Sequence, residues 1–395
     1  MPVQFATPEP LHAFMRLILE QPDLQARLAP ILEPDAFEVA VRAIAAEHGV
    51  TLPDGLLQNL FAPDPLGLSR WQDAPVTSDR WPGPGWLPTR SVPGDPPALD
   101  WSWLGDRKTD APLFEDDVRR AGAYPFDRMF RTRTSLDALI GDAGSADTVP
   151  LSGFVFHMSR CGSTLLARIL GAPPKHLVAS EPEPLDAVIL WAEQSPAPYA
   201  LKLAALRAVV AGLGRRRGAG WQRFFIKLDG WHILSHRLLR DAFPEVPWVF
   251  LHRDPIEVMA SLEAMPGLQS VPGLLPESLL GIENAHAIPQ DEYSARVLAQ
   301  FCRAALGHAE QGGGMIVDYD DLVGAALDTI PRHFGFAPDP DERAAMEAAT
   351  RVYSKNPSAT FAPDSRQKRA AASERMRELA QTHLAEVRRA LLTLT

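Results

Sequence analysis

The chain has 395 residues, enough for two or three domains and a large core. Apolar content of 46% and charged content of 22% are ordinary for a soluble globular protein, and a net charge of −10 sets the surface as a whole against nucleic acid and anionic membrane, so an anionic ligand needs a local basic pocket. No run approaches the roughly 20 apolar residues that cross a bilayer, MPVQFATPEP lacks the features of a signal peptide, and only two cysteines, Cys161 and Cys302, are present; a cytoplasmic protein without disulfides is expected.

Residues 1–61 read as a small all-α unit. Proline at a first helical position opens it at Pro8, and Leu11, Phe14, Met15 and Ile18 recur at helical spacing. Pro22 and Pro30 break the chain; Phe37, Ala40, Val41, Ile44 and Ala45 form a second stripe, ended by Gly49, and Leu56 to Phe61 is a short last helix. Residues 62–111 are rich in Pro, Gly and Trp, which disfavours long helices and central strands. Tryptophans 71, 81, 86, 101 and 103 argue against a disordered linker, so an extended arm packed on the main domain is expected.

Residues 112–395 read as an α/β domain. Apolar runs at Gly153–Phe156, Phe224–Leu228, Trp248–Leu251 and Met315–Val317, with a weaker one at Leu177–Ala179, alternate with helical stretches. This pattern predicts a P-loop-like three-layer domain with a mostly parallel central sheet. Met376, Leu379, Leu384, Val387 and Leu391 predict one long C-terminal helix.

The segment GFVFHMSRCGSTLLARIL reads as strand, tight loop and helix. A helix N-terminus offers free N–H groups and partial positive charge to a phosphate or sulfate. Gly162 permits close backbone approach, Arg160 adds a forked cation, and Ser163 and Thr164 add hydroxyls. The segment is not a Walker A loop: His157 stands at the first glycine position, and Ser163 stands where lysine belongs. It is not a cysteine-phosphatase loop either, since Arg168 lies one position too far from Cys161, which reads as a small loop residue. Taken alone, the loop fits a plain strand-to-helix turn equally well. A second strand–loop–helix, VPWVFLHRDPIEVMASL, carries Arg253 at the strand end and Ser261 eight residues later. Ligands of open parallel sheets bind outside the carboxyl ends of the strands, where both motifs put their polar groups.

Together the two motifs resemble the sulfotransferases that use 3′-phosphoadenosine-5′-phosphosulfate, over roughly residues 150–330. The S-R-x-G-S-T loop is closer to bacterial and carbohydrate-type members than to steroid-type enzymes. The resemblance implies that Arg160, Cys161, Gly162, Ser163 and Thr164 line the 5′-phosphosulfate site, and that Arg253 and Ser261 hold the 3′-phosphate. Asp318 to Leu322 is similar to the family's Y-E-D-L segment, a structural helix start. Sulfuryl transfer needs a group to take the acceptor proton. By analogy with trehalose-type relatives the candidates are Glu181, preferred, and Glu183; Lys227 and His232 lie where steroid-type enzymes carry lysine and histidine, and Lys227 suits charge on the bridging oxygen. Lys355, Arg366, Lys368 and Arg369, in a basic segment near the end, are candidates to close over the 3′-phosphate.

Arg215, Arg216 and Arg217 read as an exposed loop rather than a nucleic-acid site. His232 and His236 are four apart but lack a third ligand, so no metal is expected. The N-terminal unit resembles the nitrogen-fixation-associated leader domain of precursor peptides, with its P-D-L break and closing E-H-G. That implies a docking module for a peptide partner; a helical lid on the catalytic domain is the other reading. The expected function is sulfuryl transfer from the nucleotide donor to a hydroxyl or amine on a small metabolite or peptide. A kinase-like phosphotransferase and a peptide-binding protein with an inactive nucleotide site remain as alternatives.

Overall fold

The strand that leads into the phosphate loop, β5 (Leu151–His157), is central in a five-stranded, wholly parallel sheet. Its partners are β6 (His176–Ser180), β7 (Arg223–Lys227), β8 (Trp248–His252) and β9 (Gly314–Asp318), in the order β6-β7-β5-β8-β9. Both faces of such a sheet are covered, so its strands are continuous apolar runs, as FVF in β5 and WVFL in β8 are. The computed structural model describes residues 9–52, 55, 75–351, 368–370 and 372–395. One face carries α4 (Ser163–Gly171) with the helices Leu322–Leu327 and Pro340–Thr350; the other carries the 3₁₀ turn Gly230–Ser235, the helix His236–Ala242 and α8 (Gln290–Ala309). The expected α/β three-layer domain is therefore present.

The chain between residues 76 and 134 forms a second sheet, which the Pro- and Trp-rich composition did not predict. Its strands are β1 (Val76–Ser78), β2 (Trp86–Val92), β3 (Ala98–Trp103) and β4 (Thr132–Thr134), in the order β1-β4-β3-β2. Proline is tolerated because Pro88 lies on the edge strand β2, next to a register shift. The sheet draws strands from both sides of residue 111. Its connection to the main domain runs through α5 (Glu183–Gln194) and α6 (Tyr199–Leu213), which both pack on β2.

Three N-terminal helices, α1 (Glu9–Glu20), α2 (Pro22–Leu28) and α3 (Pro34–Glu47), cover this sheet. Pro22 does not merely break the chain: it opens α2 at the first helical position, where its missing N–H costs nothing. Phe14 and Phe37 meet Phe130 at ring separations of 6.2 and 6.4 Å, and Phe130 continues through Phe126 to Trp86 and Trp103. Gln25 is fully buried within this aromatic layer; its amide donates to Ile18 and Leu19 carbonyls and accepts from Trp86 Nε1 at 3.0 Å. The expected helix at Leu56 to Phe61 and Trp71 lie outside the described residues.

The C-terminal stripe forms two helices, α9 (Glu374–His383) and α10 (Ala385–Leu392), rather than one. The chain turns at Leu384, which is itself fully buried, so the apolar periodicity continues across the bend. Arg388 of α10 reaches His252 and Asp318 at the ends of β8 and β9.

Candidate functional site

The loop after β5 departs from ordinary backbone geometry at three residues. Ser159, Arg160 and Gly162 have φ of 76°, 52° and 88°. Gly162 is the N-cap of α4, and a Cβ there would lie 2.7 Å from Leu322 and 2.9 Å from the Tyr319 ring. Glycine is thus required by both torsion and space. No acidic side chain occupies the first turn of α4, so its N–H end stays electropositive. Ser163 is buried there and Thr164 half-buried. Cys161 is fully buried, donates to the Leu251 carbonyl at 3.2 Å, and burial pushes its thiol up to about 12, so it packs the loop rather than attacking a substrate.

The second motif closes on the first. Asp254 caps α7 (Pro255–Ala264), its Oδ1 accepting from Ile256 N at 2.9 Å. Ser261 on α7 accepts from Arg160 Nε at 3.0 Å, tying the helix to the loop across 101 residues of chain. Arg253, almost fully buried, lies over the Tyr319 ring at 3.9 Å and donates from Nε to Glu257 at 2.6 Å. Arg369 donates to the other oxygen of the same carboxylate at 2.6 Å and lies 3.5 Å from Asp254. Glu257 is a group the sequence reading missed; spaced four residues from Arg253 on α7, it orients two of the predicted cations. Lys368 neighbours Arg369 in the sequence and is half-buried, while Lys355 and Arg366 lie outside the described residues. Gln269 donates to Ser159 Oγ at 2.8 Å, bracing the loop from a further segment.

The proton-handling candidates divide. Glu181, at φ 55° just beyond β6, joins Lys227 in an ion pair, and its N–H donates to the Lys227 carbonyl at 2.7 Å. His157 Nε2 lies 3.4 Å from the same carboxylate. Burial would raise the Glu181 carboxyl, but Lys227 and His157 outweigh it and hold it well below the usual range. Glu183 is placed differently: its carboxylate takes the N–H and hydroxyl of Ser91 on β2 and so fastens α5 to the small sheet. His232 is fully buried; its Nδ1 accepts from Asp229 N at 3.1 Å, and burial pushes its pKa to about 3. It is a neutral, structural ring rather than a proton carrier at neutral pH. His157 escaped the sequence reading because it served there only to rule out a Walker loop.

Arg215, Arg216 and Arg217 are not a free loop. They donate to the carbonyls of Pro82, of Trp221 and Thr148, and of Gly105 and Arg107, respectively. Among the described residues no three His, Cys, Asp or Glu side chains converge as metal ligands, and no helix is long and apolar enough to cross a membrane.

No protein-family model and no curated protein matches the chain. Solved structures similar to it include the sulfotransferase STF1 from Mycobacterium tuberculosis, at 17% identity and a TM-score of 0.38, covering 56% of this chain and 80% of that one. The sulfotransferase domain of the Synechococcus olefin synthase matches at 16% and 0.37, covering 62% and 95%. Mouse sulfotransferase SULT7A1, solved with PAP, matches at 13% and 0.36, covering 65% and 92%. Likenesses at this level describe a partial overlap of scaffolds and assign no role to any residue.

Proposed function

We propose that the protein is a sulfotransferase, moving a sulfuryl group from 3′-phosphoadenosine-5′-phosphosulfate to a hydroxyl or amine acceptor. The observation that carries this reading is the Arg160–Ser261 hydrogen bond, which unites two strand tips, a helix N-terminus and the Arg253–Glu257–Arg369 cluster in one basic patch. On a chain of net charge −10, such a patch is a local exception that suits a ligand with anionic groups at two ends. The fit is to the donor set: N–H groups, hydroxyls and guanidinium forks, all of which favour phosphate and sulfate oxygens.

The donor, when bound, supplies an activated sulfur–oxygen bond to phosphate. The new bond forms between the acceptor oxygen or nitrogen and sulfur, the bond from sulfur to the phosphate oxygen breaks, and 3′,5′-bisphosphoadenosine leaves. The remaining tasks fall to this chain's residues. Gly162, Ser163 and Thr164 present donors at the start of α4. Arg160 bridges the two motifs, and Arg253 and Arg369 supply positive charge for the far phosphate, held in place by Glu257. Glu181, kept ionised by Lys227, is the group placed to accept the acceptor proton, and Lys227 then faces the charge that grows on the leaving oxygen.

Both described cysteines are free and buried, in keeping with the cytoplasmic placement. The leader-like N-terminal helices extend the proposed acceptor class to peptides; Leu32 and Val39 are the large apolar side chains they leave exposed. The reading is tested by thermal titration. Saturation at 100-fold over the dissociation constant with 3′,5′-bisphosphoadenosine should raise stability by about 2.7 kcal/mol, magnesium–ATP should not, and Arg160→Ala should lose the effect. A wild-type chain indifferent to the bisphosphate, or an Arg160→Ala variant that responds in full, sinks the proposal.

A further inference from the structure

The carboxyl ends of β6 and β7 carry more negative charge than proton transfer requires. Glu181 follows β6, Asp229 follows β7, and Asp186 lies one turn into α5. Against these three carboxylates stands one buried ammonium, Lys227, which Glu181 already engages. The histidines do not restore the balance. The His232 proton sits on Nε2, because Nδ1 accepts from Asp229 N, and the buried ring is neutral. Its Nε2 aims at Asp186 Oδ1 from 3.2 Å, yet neither atom has a hydrogen-bond partner. His157 Nε2, also buried and without a hydrogen-bond partner, points toward Glu181 from 3.4 Å.

Burial first, and the neighbouring carboxylates second, push Asp186 and Asp229 up from their ordinary values. Such repulsion is relieved either by a proton or by a cation. The cluster keeps an opening for the latter: the side chains of Glu181 and Asp186 are 23% and 28% exposed, over a floor of fully enclosed Lys227 and His232. The carboxylates do not converge at metal-ligand spacing. The cation that fits is larger and carries several hydrogen-bond donors, as an alkylammonium does.

We propose that Asp186, with Glu181 and Asp229, forms an acceptor subsite for an alkylammonium group, so that the acceptor of this protein is a cationic molecule. The subsite rests on the sulfuryl-transfer reading for its role, since it lies beside the group placed to take the acceptor proton. Asp186 recognises charge and takes no part in bond making. The ammonium belongs either to a small amine or to a lysine side chain of a peptide.

Calorimetric titration of the full chain tests this with tyramine and 4-propylphenol, two phenols of nearly equal shape that differ in the ammonium. Acetyl-Lys-Tyr-amide and acetyl-norleucine-Tyr-amide form the peptide pair. Each is titrated with and without saturating 3′,5′-bisphosphoadenosine. The charged member of at least one pair should bind about tenfold more tightly or better, and Asp186→Asn should bring that ratio to within about twofold. Which pair responds identifies the source of the ammonium. Equal affinity within both pairs, an unchanged ratio in Asp186→Asn, or no binding of any probe overturns the subsite. Asparagine removes a poorly solvated charge, so the variant should fold; if it does not, Asp229→Asn is read by the same ratio. Failure of the bisphosphate to bind speaks against sulfuryl transfer alone, because the titrations without nucleotide still decide the subsite.

Discussion

Two ion pairs at the strand tips set what single substitutions can report. Lys227 is almost wholly buried, and Glu181 is its counter-charge. The folded-state pKa of Glu181 lies below its ordinary value of 4.5. A depressed carboxyl stabilises the fold fully above pH 4.5, and that contribution is lost as pH falls from there through the folded-state value. Glu181→Gln should therefore flatten this part of the acid-unfolding profile and, by leaving Lys227 unpaired, cost about 3 kcal/mol at neutral pH. Urea unfolding between pH 3 and pH 7 measures both; an acid profile identical to wild type contradicts the pairing. Arg253 needs similar care, because Glu257 is only 2% exposed. Arg253→Ala should destabilise by about 2–3 kcal/mol, tempered by the remaining Arg369 contact. The double variant with Glu257→Gln should recover most of that loss while staying deficient in bisphosphate binding, which separates folding from ligand recognition. A double variant no more stable than Arg253→Ala counts against the buried-charge account.

The phosphate loop is the element on which these residues depend, and Gly162 is its pivot. Alanine at φ 88° costs roughly 1–2 kcal/mol in torsion, and its Cβ would displace Tyr319, the ring beneath Arg253. Gly162→Ala should thus lower stability by about 2 kcal/mol or more and abolish bisphosphate binding, the far phosphate included. Retained binding with unchanged melting shows that the loop tolerates a side chain. Much of this element was legible from sequence: β5, β7, β8 and β9 are apolar runs cut off by polar loops, and SRCGST and HRDP announce themselves at those ends. The second sheet was not, because Pro88 and the glycines near it argue against strands unless the strand is known to be an edge. Nor was the charge cluster, since Asp186 within EPEPLD looks like one more solvated acid until α5 turns it toward His232. Glu183 shows the converse: adjacent in sequence to the predicted site, it is drawn away to Ser91 by the small sheet.

Across the whole molecule, the question is whether α1–α3 are a separable docking module or part of the catalytic body. Their buried face argues for the latter. Phe14 and Phe37 pack on Phe130, and Gln25 satisfies the indole N–H of Trp86, which is itself fully buried. Trp86 begins β2, the strand on which α5 and α6 rest, and Ser91 of that strand holds Glu183 at the head of α5. A connected path of packed groups thus runs from the N-terminal helices to the start of α5, beside Glu181 and Asp186. Removing residues 1–52 would uncover several aromatic side chains, each worth about 1.5–3 kcal/mol in burial, and leave the Trp86 N–H unpaired in an apolar surface. The truncated chain should lose cooperative unfolding or aggregate, and any soluble fraction should transfer poorly to every acceptor, small or peptide. Gln25→Ala is the milder probe: it should lower the melting temperature through the Trp86 contact without altering the preference between a free amine and a peptide. A truncated chain with wild-type melting that has lost only its peptide acceptors would instead make the helices an independent docking module.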